Sequence, residues 1–166
     1  LAPTVFNDFV YVPLANGDIV ELNEQGKEIN RVPVGTAISA PIAISENLRI
    51  VLDIKGFVHA YDAEFELLWQ TPIKAIATST AVISDDRVFI QTIDGRMTAL
   101  ERLTGRLLWS YQDAEPTLTL TGTAQPILVS TSQGSLLATG LANGHFIGLA
   151  ARTGNLVWES RIAKAS

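Results

Sequence analysis

The chain has 166 residues, of which 47% are apolar and 17% charged, and this composition favours a folded domain with its own core over a disordered chain. Its formal net charge of −5 argues against nucleic acid as a partner, because phosphate binding needs a basic surface. The absence of cysteine excludes disulfides, thiolate nucleophiles and cysteine-based zinc sites, and no apolar run reaches the roughly 18 residues of a membrane-spanning helix.

Short strand-like segments alternate with turns along the chain, and the pattern repeats. The hairpin glycines Gly17, Gly56 and Gly95 are 39 residues apart, and Gly144 follows 49 residues later. Similar intervals separate the three tryptophans, Trp69, Trp109 and Trp158. A unit of about 40 residues made only of strands has the length of one propeller blade of four antiparallel strands.

The repeat therefore predicts an all-β fold of about four β-propeller blades, each with four antiparallel strands. We expect the blade repeats at residues 1–34, 35–73, 74–111 and 112–166. The first of these repeats is degenerate. The last contains an insertion at 112–123, between two blades, which lengthens the final interval.

The third repeat illustrates how one blade is expected to fold. Its residues predict strands at 79–84, 87–92, 96–101 and 106–111. Asp85-Asp86 and Asp94-Gly95 form turns between them, because Asp side chains bond nearby backbone groups and glycine accepts a positive φ. No segment has sustained helical periodicity, so the blade is expected to be a meander of strands.

Small and large side chains recur at fixed places in the third and fourth strands. Small residues follow the hairpin glycine by four positions, at Ala60, Ala99 and Gly148. We expect Trp69, Trp109 and Trp158 to fill the matching space in a neighbouring blade, since large residues opposite small ones interdigitate. The first repeat has Glu21 and Asn30 at these places, which predicts a weaker blade or an end of the array.

The polar residues do not form a recognisable metal, cofactor or catalytic motif. His59 and His145 come from different repeats and follow their hairpin glycines by different offsets. Asp53, Asp62 and Glu64 are scattered at strand ends and turns, without the spacing of a calcium loop. A nucleophile elbow and a phosphate loop are also absent from the sequence. We therefore predict neither a metal site nor a cofactor.

The repeat resembles that of a known group of propeller proteins. The third repeat is similar to the repeat shared by quinoprotein (PQQ) dehydrogenases and the BamB family. The matching residues are Asp94-Gly95 through Leu100, followed by Thr104-Gly105 and Trp109. The segment 115–126, Glu-Pro-Thr-Leu-Thr-Leu-Thr-Gly-Thr-Ala-Gln-Pro, resembles a segment that the BamB family carries between two blades. Residues 1–5 also resemble the start of that family's first blade, so the chain resembles the N-terminal half of an eight-bladed BamB propeller.

The resemblance implies a function and a binding site. Proteins of the BamB family are non-catalytic periplasmic scaffolds, held at the outer membrane by an N-terminal lipid, whose cysteine this sequence lacks. They bind the POTRA domains of BamA and assist insertion of outer-membrane β-barrels, with nascent outer-membrane proteins as a further candidate partner. Carried over to this chain, the partner-binding residues are Leu118, Leu120 and Thr121.

Thr121 departs from the family pattern, which typically has arginine there. Loss of a multi-donor guanidinium removes a polar contact, for which Arg102, Arg106 or Arg161 are candidate substitutes. The competing interpretation of Leu118 and Leu120 is that they are buried strand residues at the edge of an inserted blade segment.

The runner-up function is a fragment of a PQQ-dependent quinoprotein dehydrogenase. Such an enzyme needs carboxylate and amide ligands for calcium and PQQ, and many members add a vicinal cysteine pair that this chain lacks. Reconstitution with PQQ and calcium, followed by an assay of alcohol oxidation, would separate the two functions.

Overall fold

The computed structural model describes residues 1–112, 124–141 and 144–161. Sixteen strands within these ranges form four sheets, and in each sheet four antiparallel strands follow one another in chain order. The predicted all-β fold of four four-stranded blades is confirmed. In the described ranges, no helix has the length and apolar character needed to cross a membrane.

The strand bounds follow the repeat. Blade 1 contains β1 (Thr4–Phe6), β2 (Phe9–Pro13), β3 (Asp18–Leu22) and β4 (Glu28–Pro33). Blade 2 contains β5 (Ala43–Ser45), β6 (Leu48–Leu52), β7 (Phe57–Tyr61) and β8 (Leu67–Pro72). Blade 3 contains β9 (Val82–Ile83), β10 (Arg87–Gln91), β11 (Arg96–Glu101) and β12 (Leu107–Gln112). Blade 4 contains β13 (Ile127–Thr131), β14 (Gly134–Gly140), β15 (His145–Ala150) and β16 (Leu156–Arg161).

The first strands of the blades lie on the inside of the array. β1 contacts β5, and β5 contacts β9, so the inner edges of the first three sheets converge. The strand predicted at 79–84 is shorter in the structure, because only Val82 and Ile83 pair with β10. The fourth strand of each sheet is the outer edge, and most side chains of β4, β8 and β16 are exposed.

The hydrophobic core lies between the blades, in three clusters. The cluster between blades 1 and 2 includes Tyr11, Ile42 and Phe65. The cluster between blades 2 and 3 is the largest and includes Ile50, Trp69 and Leu100, while the one between blades 3 and 4 includes Phe89, Leu137 and Leu149. Each sheet is therefore stabilised by apolar burial against its neighbours.

Each small residue of the third strand lies opposite the tryptophan of its own sheet, which differs from the sequence prediction. Ala60 is the cross-strand partner of Trp69 in one sheet, and the pairs Ala99–Trp109 and Gly148–Trp158 repeat this relationship. The prediction that the small residue belongs to one blade and the tryptophan to another is wrong, because the third and fourth strands pair through the turn between them. The small side chain instead leaves room for the indole to lie over its own sheet.

The indole then reaches the next blade at the turn between its third and fourth strands. A Cβ at Gly105 of blade 3 would lie 2.3 Å from Cε3 of Trp69, so the turn accommodates the indole only as glycine. Trp69 Nε1 also donates a hydrogen bond of 2.9 Å to the carbonyl of Arg102 in that turn. Trp109 contacts Gly154 of blade 4 in the same way.

Trp158 has the same place in blade 4 but a different environment. Its side chain is 40% exposed, whereas Trp69 is 8% exposed. Among the described residues, Trp158 packs over Gly148 of its own sheet and has no turn of a further blade against it.

The interface between blades 1 and 2 uses other residues. Asn30 occupies the position that tryptophan has in the other blades, because it is the cross-strand partner of Glu21. Phe65 occupies the position that glycine has in the other interfaces, because it precedes Trp69 by four residues. Phe65 keeps the left-handed conformation of that turn, with φ of 58°, and is 8% exposed. Its ring lies 6.0 Å from that of Tyr11, so a side chain from blade 2 fills the space that an indole from the preceding blade fills elsewhere.

Arg49 is buried in the same interface without a carboxylate partner among the described residues. Its guanidinium carbon lies about 6 Å from each of three rings, those of Phe6, Tyr11 and Phe65. One Nη donates to the carbonyls of Ser45 and Glu46. Cation–π contacts and backbone acceptors thus replace an ion pair.

Candidate partner-binding face

The predicted partner-binding residues Leu118, Leu120 and Thr121 lie outside the described residues, as do all but the first residue of the insertion at 112–123. The structure does describe both ends of this connection. Gln112 ends β12 at the outer edge of blade 3, and Ile127 begins β13 at the inner edge of blade 4. The connection therefore joins the outer edge of one blade to the inner edge of the next.

The corresponding connections of the first two blades show which end of the array this is. Val34 N donates a 3.0 Å hydrogen bond to the carbonyl of Gly17, and Ile73 N donates a 2.8 Å bond to the carbonyl of Gly56. Both connections thus pass beside the hairpin between the second and third strands. We call this end of the four blades, with the hairpins at Gly17, Gly56, Gly95 and Gly144, the hairpin face. The opposite end, with Gly26, Phe65, Gly105 and Gly154, is the turn face.

Gln112 anchors the start of the insertion to the hairpin of blade 3. Its Nε2 donates a 2.9 Å hydrogen bond to the carbonyl of Asp94, and its cross-strand partner is Arg96. Arg96 Nη2 lies 2.9 Å from Asp94 Oδ2, and the Asp94 carboxylate also accepts from the hydroxyl of Thr92. The segment therefore leaves β12 next to an arginine that a carboxylate already holds in place.

The pKa of Asp94 reflects this arrangement. Partial burial raises the pKa of its carboxyl, but hydrogen bonds from Thr92 and Arg96, with the charge of Arg96, outweigh burial and leave the pKa below its ordinary value. The carboxylate is thus ionised throughout the physiological range and keeps the hairpin and Arg96 in place.

Other charges on the hairpin face are paired as well. In blade 1, Arg31 reaches Asp18, at the hairpin-face start of β3, with 3.2 Å between Nη1 and Oδ2. The Nε of Arg31 also contacts Glu28, at the turn-face end of β4, at 2.8 Å, and this hydrogen bond lowers the pKa of the Glu28 carboxyl. In blade 4, His145 contacts Glu159 and accepts a hydrogen bond from Arg161. The face is polar and mixed in charge, which is typical of the rim around an apolar contact.

The three arginines considered as substitutes for the family's arginine lie on different faces. Arg102 and Arg106 belong to the turn face, where Arg102 donates 2.7 Å to the carbonyl of Ser84 and Arg106 lies 3.7 Å from Glu101. Arg161 ends β16 on the hairpin face. Sequence reasoning missed Arg96, the cross-strand partner of Gln112, with which the insertion begins. The available signal was its place two residues after Asp94 in the predicted hairpin.

A buried Asp53–His59 pair also escaped the sequence analysis. Asp53 Oδ2 lies 2.8 Å from His59 Nε2, and Asp53 Oδ1 accepts the backbone N–H groups of Lys55 and Phe57. The pair holds the blade 2 hairpin in shape, and the signal for it was an Asp three residues before a hairpin glycine and a His three after it. In the described parts of the chain, no three side chains of the His, Asp and Glu types gather as a cation site.

A cleft lies on the turn face between blades 3 and 4. Its volume is about 780 Å³, and Asp86, Arg87, Phe89 and Arg152 are among its lining residues. Arg87 is held by Asp86 and by the carbonyl of Arg152. The described lining of this cleft contains no histidine.

Comparison with known sequences identifies related proteins. The sequence profile of a family described as "Outer membrane protein assembly factor BamB" matches residues 15–166. The chain is 26% identical over 163 residues to the BamB of Burkholderia pseudomallei, covering 98% of this chain and 42% of that protein. It is 29% identical over 163 residues to the BamB of Nitrosomonas eutropha, covering 98% of this chain and 39% of that protein. The chain thus spans about two fifths of the length of these relatives.

Comparison with solved structures agrees with the fold. The BamB of Moraxella catarrhalis superposes with a TM-score of 0.80 at 21% identity, covering 98% of this chain and 48% of that one. A quinohemoprotein alcohol dehydrogenase, ADHIIG of Pseudomonas putida, superposes with a TM-score of 0.71 at 16% identity, covering 96% of this chain and 34% of that one. At these identities the two likenesses establish the propeller fold alone.

Proposed function

The chain belongs to the family of the outer membrane protein assembly factor BamB, and from this membership we propose that it acts as a non-catalytic scaffold in outer-membrane protein assembly. The curated relatives named above are described as assembly factors for outer membrane proteins. We place the protein at the periplasmic face of the outer membrane, held there by a lipid anchor in the full-length protein. The dehydrogenase alternative has only a distant likeness of fold in its favour.

The partner we propose is the set of POTRA domains of BamA, bound through the segment 115–123. Leu118 and Leu120 are its apolar anchors, and Thr121 contributes at the position where the family typically has arginine. An apolar pair within a polar rim is a common form of interface hot spot. The single observation that carries this proposal is the start of the insertion on the hairpin face, beside the ion pair of Arg96 and Asp94.

The anchor of the segment supports the same proposal. Gln112 and Arg96 are cross-strand partners at the end of the sheet, so the chain leaves blade 3 from a paired strand. Binding residues that project from a rigid β-scaffold lose less conformational entropy on association than residues of a free linker.

The test is binding of the 166-residue chain to isolated POTRA domains by isothermal titration calorimetry. Leu118→Asp/Leu120→Asp should weaken binding by at least about 100-fold, as expected when two hot-spot side chains are lost. Leu103→Asp is the matched control, because Leu103 is 85% exposed on the turn face and should leave the affinity unchanged. Circular dichroism checks that all variants keep the unmutated spectrum.

Thr121→Arg tests the polar part of the interface in the same assay. Restoring a planar, multi-donor side chain should tighten binding by about tenfold, the effect of one charge-assisted hydrogen bond. Equal affinities of the double leucine variant, Leu103→Asp and the unmutated chain would rule out this segment as the contact. Absence of any binding by the folded chain would refute the proposed partner.

A further inference from the structure

Two neighbouring clefts on the turn face share one turn of blade 3. The cleft of about 780 Å³ between blades 3 and 4 reaches Arg152 of blade 4. A second cleft, of about 560 Å³, is lined by Arg102 and Arg106 of blade 3 and reaches Asn47 of blade 2. Residues 85–87, the turn between β9 and β10, line both clefts, which therefore form one groove across blades 2, 3 and 4. We call it the turn-face groove.

The turn-face groove is positively charged, although the chain as a whole is acidic. The charged residues of its lining are Arg87, Arg102, Arg106 and Arg152, with the carboxylates Asp85, Asp86 and Glu101. Arginines thus outnumber carboxylates here, whereas the formal net charge of the chain is −5. Arg87 contacts Asp86 in the shared turn, so the remaining arginines lie towards the two ends of the groove.

Arg102 is fixed in place without a carboxylate partner among the described residues. Its Nη1 donates a 2.7 Å hydrogen bond to the carbonyl of Ser84, and its Nη2 donates to Asn47 Oδ1 at 2.5 Å and to Ser45 Oγ at 3.1 Å. All three acceptors are neutral, so the charge of the guanidinium is not compensated, and its five N–H donors leave capacity for a ligand. Because blades 2 and 3 already hold this side chain, a bound carboxylate costs little further conformational entropy.

Arg106 and Arg152 are exposed cations on the same groove. The Arg106 side chain is 70% exposed and lies 3.7 Å from Glu101, and an exposed pair of this kind contributes little to stability. A ligand carboxylate can therefore replace Glu101 at small cost. Arg152 is exposed, and within the described ranges its side chain forms neither an ion pair nor a hydrogen bond. Both ends of the groove are thus open to an anionic ligand.

We propose that the turn-face groove binds an extended acidic segment of a partner protein, whose carboxylates contact Arg102 at one end and Arg152 at the other. Charge complementarity identifies the acidic character of the segment. An apolar residue of the same segment packs against Ile83 and Leu128, which line the cleft between blades 3 and 4 and are only partly buried. The site goes beyond the proposed function, because the groove and the start of the insertion lie at opposite ends of the blades.

The shape and charge of the groove disfavour other anionic partners. Asp85 and Asp86 lie in the shared turn, where they would repel the closely spaced phosphates of a nucleic acid. A membrane surface is flat, whereas these arginines line clefts that a single extended chain can enter. A segment with separated carboxylates satisfies both conditions.

The first experiment is fluorescence anisotropy of a labelled peptide, Ser-Glu-Glu-Ser-Leu-Ser-Glu-Glu-Ser, titrated with the chain. Saturable binding with a dissociation constant below about 100 µM is expected, the range of a short segment with few contacts. The same peptide with Gln in place of every Glu should bind at least about tenfold more weakly, because its charge-assisted hydrogen bonds are lost. Equal binding of the two peptides, or no binding of either up to about 1 mM, would overturn the proposal.

Arg102→Gln and Arg152→Gln locate the site at the two ends of the groove. Each should weaken binding of the Glu peptide by about tenfold. Lys55→Gln is the matched control, since it removes the same charge from an exposed residue on the hairpin face and should leave the affinity unchanged. Arg152→Gln also guards against a loss of folding, because the Arg152 side chain makes no described contact within the protein. Equal losses in Arg152→Gln and Lys55→Gln would refute the groove as the site.

Cosedimentation with phosphatidylglycerol vesicles tests a membrane as the alternative occupant. Vesicle binding that Arg152→Gln abolishes, without binding of the Glu peptide, would overturn the proposal in favour of a lipid surface. The outcome is separate from that of the proposed function. Arg152→Gln should bind POTRA domains as the unmutated chain does, because that contact is proposed for 115–123.

Discussion

The indole of Trp109 in blade 3 lies against Gly154 of blade 4, where a Cβ would come within 2.5 Å of the ring. Its Nε1 donates a 3.0 Å hydrogen bond to the carbonyl of Ala151 in the same turn. Its ring also packs against Phe89 of its own sheet, with centroids 5.9 Å apart. One side chain thus joins two sheets by apolar contact and by a backbone hydrogen bond.

Trp109→Ala should lower the free energy of unfolding by about 3–5 kcal/mol, the usual cost of truncating a packed aromatic residue in a core. The measurement is urea unfolding followed by circular dichroism. Leu103→Ala is the control, and it should change stability by less than about 0.5 kcal/mol, because Leu103 is 85% exposed. A loss below about 1 kcal/mol for Trp109→Ala would show that the indole does not hold the two blades together.

The ion pair at the base of the insertion predicts a specific titration. The folded-state pKa of Asp94 lies below its ordinary value of about 3.9. Its contribution to stability is therefore complete above that ordinary value and is lost as the pH falls through the folded-state pKa. Arg96→Met removes a hydrogen-bond donor and a positive charge, so it should raise the pKa of Asp94.

Carboxyl NMR titration of Asp94 in the unmutated chain and in Arg96→Met measures this shift directly. Arg31→Met, which breaks the pairs in blade 1, is the matched control and should leave Asp94 unchanged. An identical pKa of Asp94 in all three proteins would mean that Arg96 does not stabilise the carboxylate.

The fold could be predicted from the sequence because its signals are local. Asp94-Gly95 is a hairpin turn by its own conformational preference, and repetition at similar intervals fixes the size of the blade. The contact of Trp69 with Gly105 could not be derived in this way, because the sequence does not show how far one sheet is offset from the next. The Asp53–His59 pair was missed because its residues were judged separately, although both flank the same hairpin glycine.

Asn30 and Phe65 illustrate the same limit. Considered within its own blade alone, each of these two residues is a departure from the repeat pattern. The two departures become complementary only when blade 1 lies against blade 2, because Phe65 then fills the space that an indole at position 30 would need. Degeneracy of the first repeat therefore does not mean that its interface is empty.

This complementarity predicts a measurable coupling between Asn30→Trp and Phe65→Gly. Phe65→Gly alone should lower the free energy of unfolding by about 3–5 kcal/mol through loss of a buried aromatic ring, partly offset by about 1 kcal/mol as the left-handed turn is relieved. Asn30→Trp alone should change stability by less than about 1 kcal/mol, because Asn30 is exposed and Phe65 blocks the docking position.

The double variant should recreate the tryptophan–glycine interface of blades 2 and 3. The indole at position 30 can then occupy the space left by Phe65, so the double variant should be more stable than the sum of the single effects by about 1–3 kcal/mol. The control cycle combines Phe65→Gly with Ile29→Trp, since Ile29 is also exposed on β4 but points to the other side of the sheet. Additivity within about 0.5 kcal/mol in both cycles would show that positions 30 and 65 do not share one docking space.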